Sequence, residues 1–216
     1  MNGDRLSATA ITKNLGTRFI GQRTLYYPYL TSTMNIAKQE AQSGASEGTV
    51  IIAGEQTAGR ARLQRIWLTP KGNIALSVIL YPHLTHLPSL IMLASLAVVN
   101  CIKATTRLKP QIKWPNDILI NGKKTCGILV ESGARTNIAH YAIIGIGINI
   151  DLRPTDFPEI QTIATSLTQE LGQDISRLTI TRSLLVEIEK LYLALTTGES
   201  LYEEWRDNLV TLGHEI

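Results

Sequence analysis

The chain is expected to fold as an α+β domain, with a mixed, largely antiparallel sheet packed against helices. Three observations carry this. Strand-like runs and hairpins come first and helical runs come last, the order of a sheet backed by helices. Asn121-Gly122 lies between two strand-like runs and is the strongest short hairpin signal in the chain. Residues 87–107 carry apolar side chains at positions 90, 93, 94, 97, 98, 101 and 102, a helical stripe.

Taken in order, residues 6–20 read as a weak helix or an irregular lead-in. Residues 24–29 are aromatic and β-prone, and Pro28 argues for an edge or a strand end. Ser32 and Thr33 suit a helix cap, with the helix over 34–43. Residues 49–54 form a buried-type strand, 56–67 a charged, glycine-bearing loop, and 73–80 a strand without charge. A short strand at 112–114 enters Pro115. Strands at 117–120 and 124–131 flank the Asn-Gly turn, and another at 139–148 follows a polar turn at 133–137. Residues 151–161 are a Pro-rich loop. Helices follow at 165–171, at 179–196 with Leu184, Leu185, Ile188, Leu191 and Leu195 on one side, and at 200–209 around Trp205. Residues 1–212 are read as one domain, and 213–216 as the start of a further strand.

Composition bounds the function. With 44% hydrophobic and 18% charged residues among 216, the chain is globular rather than disordered and can furnish a sizeable core. A net charge of +3 is too mild to imply nucleic-acid binding, but leaves anionic small molecules open. Cys101 and Cys126 lack metal or redox spacing and read as reduced core thiols. The four histidines are scattered and form no metal cluster in sequence. No signal core precedes the domain, and no apolar run is read as reaching the ~18 residues of a membrane span. These points lead to a cytoplasmic protein with no membrane partner.

The chemistry is concentrated in four segments. Gly59-Arg60-Ala61-Arg62-Leu63-Gln64-Arg65-Ile66-Trp67 places three arginines within six residues. Guanidinium forks fit phosphate or carboxylate oxygens, and their clustering is costly without an anion. Gly59 permits close backbone approach, and Arg60 and Arg62 share a side if the loop is extended. Trp67 either stacks on a base or pins the loop to the core. Lys113-Trp114-Pro115-Asn116-Asp117 makes a turn in which Trp114 can anchor in the core. Lys113 and Asp117 there would suit phosphate and Mg²⁺. Lys123 and Lys124 should face opposite sides of their strand, so at most one points into a site. Gly145-Ile146-Gly147-Ile148-Asn149 is a weak nucleotide-binding glycine pattern, lacking a third glycine and a following helix.

Together these segments resemble the biotin protein ligases. That family's loop reads Gly-Arg-Gly-Arg-x-Gly-Arg-x-Trp, matched at 59–67. Its Lys-Trp-Pro-Asn-Asp is matched at 113–117, its Lys-x-x-Gly-Ile-Leu-x-Glu at 124–131 and its Gly-x-Gly-x-Asn at 145–149. Its Ser-Thr pair is matched by Ser32-Thr33. The resemblance spans residues 25 to 210. It implies the fold shared by class II aminoacyl-tRNA synthetases and biotin protein ligases. It also implies activation of biotin by ATP, with Mg²⁺, to biotinyl-5′-adenylate, and transfer of biotin to a lysine of a biotin carboxyl carrier domain.

By the same resemblance, Ser32, Thr33 and Gln56 bind the ureido ring, while Gly59 and Arg60 hold the loop over the ligand. Arg62 and Arg65 meet phosphate, and Lys124 the reacting carboxylate. Trp67 and Asn149 serve adenine, and Lys113, Asn116 and Asp117 serve phosphate, Mg²⁺ or the acceptor lysine. Arg62, Lys124 and Asp117 form the expected catalytic set. Ala61 and Gln64 stand where the family has glycines, and strain of about 1 kcal/mol is expected if either has positive φ. No DNA partner is expected, since the length leaves no room for the helix-turn-helix domain some members carry. A small SH3-like domain is expected to begin at 213–216. A homodimer is left open. The rival readings are a lipoate ligase-like acyltransferase of the same fold, a non-catalytic binder of biotin or adenylate, and a nucleic-acid-binding module built on the arginines.

Overall fold

The strand-like runs assemble into a seven-stranded sheet in this computed structural model, which describes residues 6–135 and 139–210. The strands are β1 (Thr24–Tyr27), β2 (Val50–Ala53), β3 (Gln56–Arg60), β4 (Ile66–Thr69), β5 (Ile74–Leu80), β6 (Gln111–Lys113), β7 (Asp117–Ile120), β8 (Lys123–Arg135) and β9 (Ala139–Ile148). The sheet order is β1-β2-β5-β9-β8-β7-β6, with β1 and β2 parallel and every other pair antiparallel. Asn121 and Gly122 take φ of 50° and 76°, the left-handed pair that a two-residue turn between β7 and β8 requires. The expected mixed, largely antiparallel sheet is therefore present. The expected strand start at 213–216 lies outside the described residues.

The helices are α1 (Ala8–Thr12), α2 (Thr33–Gln42), α3 (Leu90–Thr105), α4 (Leu167–Leu171), α5 (Arg177–Thr196) and α6 (Tyr202–Asp207). Period-2 alternation splits the sheet into two faces. Val50, Ile52, Leu76, Val78, Ile144, Ile146 and Ile148 point to the side covered by α3 and α5. Ile51, Ala53, Ala75, Ile79 and Ile143 point to the side covered by α2. The segment Leu84–Thr105 has the length and apolarity of a membrane-crossing helix, which corrects the reading that no run reaches it. In this fold its Leu93, Leu96, Ala97 and Val98 are buried in the larger core. Ser166 and Ser176 cap α4 and α5 through their hydroxyls, and Gly172, at φ 67°, ends α4.

Residues 6–20 owe their order to α5, far away in sequence. Glu189, only 6% exposed, accepts the backbone N–H groups of Arg18, Phe19 and Ile20 at 2.6, 2.9 and 2.9 Å. The Arg182 guanidinium donates to the carbonyls of Ala10, Lys13 and Asn14, satisfying the end of α1.

Two expectations are corrected. Residues 56–67 are not a plain loop, because β3 and β4 pair as an antiparallel hairpin. Its polar composition hid the strands from a reading based on apolar periodicity. Trp114 is not a core anchor but is 58% exposed beside Pro115.

Both cysteines sit in the larger core. Burial pushes the Cys101 thiol up to about 12 and raises that of Cys126 further. Thiolate is the reactive form. Neither cysteine should therefore react with a thiol reagent at neutral pH in the native state, while both should react after denaturation. Stoichiometric native labelling would contradict the packing.

Candidate functional site

The site begins as a row of small side chains. Ala53, Ala75, Gly147 and Gly127 lie side by side across β2, β5, β9 and β8, on the face that also carries α2. The neighbouring row runs Ile51, Ser77, Gly145, Leu129. The result is a trough across the middle of the sheet, walled by α2 on one side and by the β3–β4 hairpin above. Trp67 of β4 lies in it. A Cβ at Gly147 would stand 2.1 Å from the indole Nε1, and one at Gly127 2.8 Å from its Cζ3. At Gly145 a Cβ would meet Met34 Sδ at 2.6 Å. With the indole in place, the polar end of the trough keeps about 30 Å³, which is about one water's share of liquid volume.

That polar end is built by Ser32, Thr33 and Gln56. The Thr33 backbone N–H donates to Gln56 Oε1 at 2.8 Å, and Gln56 Nε2 donates to Thr69 Oγ1 at 2.9 Å. Ser77 donates its hydroxyl to Thr33 Oγ1 at 2.9 Å. The Ser32 hydroxyl is fully buried and without a hydrogen-bond partner. A buried, unsatisfied hydroxyl at the end of a trough is a place for a ligand acceptor, because leaving it unmet costs about 1–3 kcal/mol.

At the middle of the trough Lys124 Nζ lies 2.7 Å from Asp117 Oδ1 and 5.2 Å from the centroid of Trp67. The backbone of Lys124 is clamped from both sides, donating to Ile163 O and accepting from Thr165 N–H. Of the two lysines after the turn, Lys124 is thus the one at the site, as the alternation requires.

The hairpin is tied down by its arginines. Arg60 makes a two-pronged ion pair with Glu131, at 2.9 and 2.5 Å. Arg62 donates to Asn116 Oδ1 at 3.0 Å, while Asn116 Nδ2 donates to Ile128 O. Arg60 and Arg62 do not share an extended strand, because the chain enters a single 3₁₀ turn over Arg62–Gln64. Gly59 lies against the backbone of Trp67, where a Cβ would meet Trp67 O at 2.3 Å. The feared strain at Ala61 is absent, because its φ of −129° is extended. It falls instead on Leu63, which is 80% exposed at φ 55°.

Beyond Trp67 the trough opens into an apolar cavity of about 350 Å³ lined by Trp67, Leu68, Leu152, Ile160 and Ile163 with Asn149 and Arg65 at its border. Asn149 is buried, and its Nδ2 donates to Thr165 O at 3.0 Å. An open cleft of about 750 Å³ lies outside the hairpin, beside Arg62, Arg65 and Asn116. Lys113 is exposed on β6 and is not among the residues lining these three cavities. Among the described residues no group of three or more His, Cys, Asp or Glu forms a metal cage. Asp117 is likewise not among the residues lining the three cavities, and its carboxylate is paired with Lys124.

Ser77 and Thr69, which hold Thr33 and Gln56 from behind, belong to no sequence motif and are added by the structure. Glycines two apart in a strand share one face, so Gly145 and Gly147 facing Gly127 could have revealed the floor. Replacing Gly147 with alanine should expel the indole. We expect altered tryptophan emission and a stability loss of about 1–3 kcal/mol, measured by fluorescence and denaturant titration. An unchanged spectrum and midpoint would show that Trp67 does not rest there.

A family profile described as "Biotin/lipoate A/B protein ligase family" matches residues 26–149. The chain is similar to the bifunctional ligase/repressor BirA of Bacillus subtilis, 44% identical over 192 residues, covering 87% of this chain and 59% of that one. It is also similar to the biotin--[acetyl-CoA-carboxylase] ligase of Mycobacterium tuberculosis, 32% identical over 187 residues, covering 82% and 66%. Among solved structures, the biotin protein ligase of Aquifex aeolicus in complex with biotin and ATP superimposes with a TM-score of 0.76 at 28% identity, covering 90% of this chain and 81% of that one. The chain spans about three fifths of the length of the Bacillus relative.

Proposed function

Because the chain belongs to the biotin/lipoate A/B protein ligase family, we propose that it activates biotin with ATP and transfers it to a lysine of a biotin carboxyl carrier domain. The observation that carries this reading is the position of Lys124. It stands between a trough ending in buried donors and an apolar cavity large enough for a nucleobase.

In this reading the ureido ring meets Ser32, Thr33 and Gln56, and the valeryl chain runs over Gly147 and Gly127 toward Lys124. A biotin carboxylate oxygen attacks the α-phosphorus of ATP, and pyrophosphate leaves. The acceptor lysine amine then attacks the acyl carbon, the C–N bond forms, AMP leaves, and the amine loses a proton. Lys124 stabilises the carboxylate and the negative charge that develops in both steps. Arg62 and Arg65 face the departing pyrophosphate, while adenine packs between Trp67 and Ile160 beside Asn149. Asp117 would hold an Mg²⁺ brought by the nucleotide, which would supply neutralisation of phosphate charge.

Biotin needs far more room than about 30 Å³, so its binding requires the hairpin and Trp67 to move. Lipoate is a poorer fit, because its dithiolane ring offers no carbonyl oxygen to the donors of Ser32, Thr33 and Gln56. The reaction belongs in the cytoplasm, where two free thiols stay reduced.

The test is mass detection of biotinyl-5′-adenylate from biotin and ATP, followed by a biotin mass increment on a purified carrier domain. Binding of biotin without either product would favour the non-catalytic reading.

A further inference from the structure

The polar end of the trough contains more machinery than the residues that meet the ligand. Gln56 shows how the machinery works. A backbone N–H can only donate, so the one on Thr33 fixes Gln56 Oε1 toward itself and turns Nε2 toward Thr69 and the cavity. The carbonyl of Gln56 is thereby turned toward Thr33, and the end turned toward Thr69 and the cavity is N–H.

Ser77 does the same for Thr33. It is fully buried in β5, behind Thr33 and not among the residues lining the cavity. It donates its hydroxyl proton to Thr33 Oγ1. Thr33 Oγ1 has no other partner among the described residues, so its own hydrogen is left for a ligand acceptor. Accepting from Ser77 takes one of the two Thr33 lone pairs and turns the Thr33 O–H away from Ser77, which favours its use as a donor. Thr33 and Gln56 thus both present donors to this end of the trough, while Ser32 Oγ, unpartnered, can donate or accept there.

We propose that Ser77 is a positioning residue that sets Thr33 as a hydrogen-bond donor, making this end of the trough selective for a ring carbonyl oxygen. The inference rests on the biotin reading above and assigns its selectivity to a residue that does not touch the ligand. Without Ser77, the Thr33 hydroxyl is free to rotate and to present its lone pairs instead. The site then loses discrimination between a carbonyl and an N–H at the same ring position.

The experiment compares the full-length chain with Ser77→Ala, Thr33→Val and the double variant. The probes are biotin and 2-iminobiotin, which at neutral pH carries N–H donors where biotin has its carbonyl oxygen. Ser77→Ala should weaken biotin binding roughly tenfold, the scale of one buried hydrogen bond. Adenylation at saturating biotin should stay within about twofold, a change in KM and not in kcat, and 2-iminobiotin binding should be unchanged. The double variant should lose no more biotin affinity than Thr33→Val alone, because the two residues act as one unit. Parental biotin affinity in Ser77→Ala, or equal losses of biotin and 2-iminobiotin, would overturn the proposal. A parental chain that binds no biotin would overturn the biotin reading itself, an outcome distinct from either.

Discussion

Replacing Lys124 with alanine should lower adenylate formation by about 10²–10³-fold, the typical effect of removing one charged or oriented donor from a transition state. Folding should lose less. The Lys124 and Asp117 side chains are 30% and 25% exposed, but Asp117 Oδ1 is itself buried, so leaving it unpaired costs about 1–3 kcal/mol. The separation between the two effects is the point of the measurement. Arginine at 124 keeps the charge but brings a planar fork to a position held above the Trp67 ring, so it should rescue only part of the rate. Pyrophosphate exchange and thermal unfolding, run on the same samples, decide the matter. Exchange at the parental rate in Lys124→Ala would remove this residue from the reaction.

The largest loss of stability should come from Glu189→Ala, far from the trough. This carboxylate satisfies three consecutive backbone N–H groups at the start of β1's approach. Its removal leaves three donors facing a buried helix face, and charged hydrogen bonds of this kind are worth about 1.5–3 kcal/mol each before any compensation by water. A net loss of about 3–5 kcal/mol is expected, or a fall of roughly 10 °C or more for a chain of this size. Glutamine retains one carbonyl oxygen and should lie between the two. A Glu189→Ala midpoint within about 2 °C of the parent would show that water replaces the carboxylate without cost.

The two sites differ in how legible they were from sequence. Lys124, Asp117, Ser32 and Thr33 sit at the ends of strands and helices, where the local pattern suggests turns and caps, and it is the family resemblance that gives them site roles. The Asn121-Gly122 turn fixed the β7–β8 pairing because a two-residue loop admits few backbone conformations. The hairpin of β3 and β4 was hidden, since Gln56–Arg60 is a strand by pairing and not by apolar pattern. It is tied to the sheet by partners distant in sequence, Trp67 on Gly127 and Gly147 and Arg60 on Glu131, 71 residues away. Residues 6–20 were ambiguous for the same reason: Arg182 and Glu189 hold them from about 170 positions away. Trp114 was misread because an indole is more often buried than not, whereas here it stands in solvent beside Pro115. Ser77 reads as an ordinary strand serine until the Thr33 hydroxyl is seen at 2.9 Å.

The row Ala53, Ala75, Gly147, Gly127 has a consequence for how mutations register in this protein. Most binding surfaces are written in side chains, and truncation erases them. This floor is written in missing carbon. Alanine scanning is silent at Ala53 and Ala75, and at the two glycines it adds matter instead of removing it. Natural or random variation should therefore be punished here in one direction only, with each added methyl narrowing the channel.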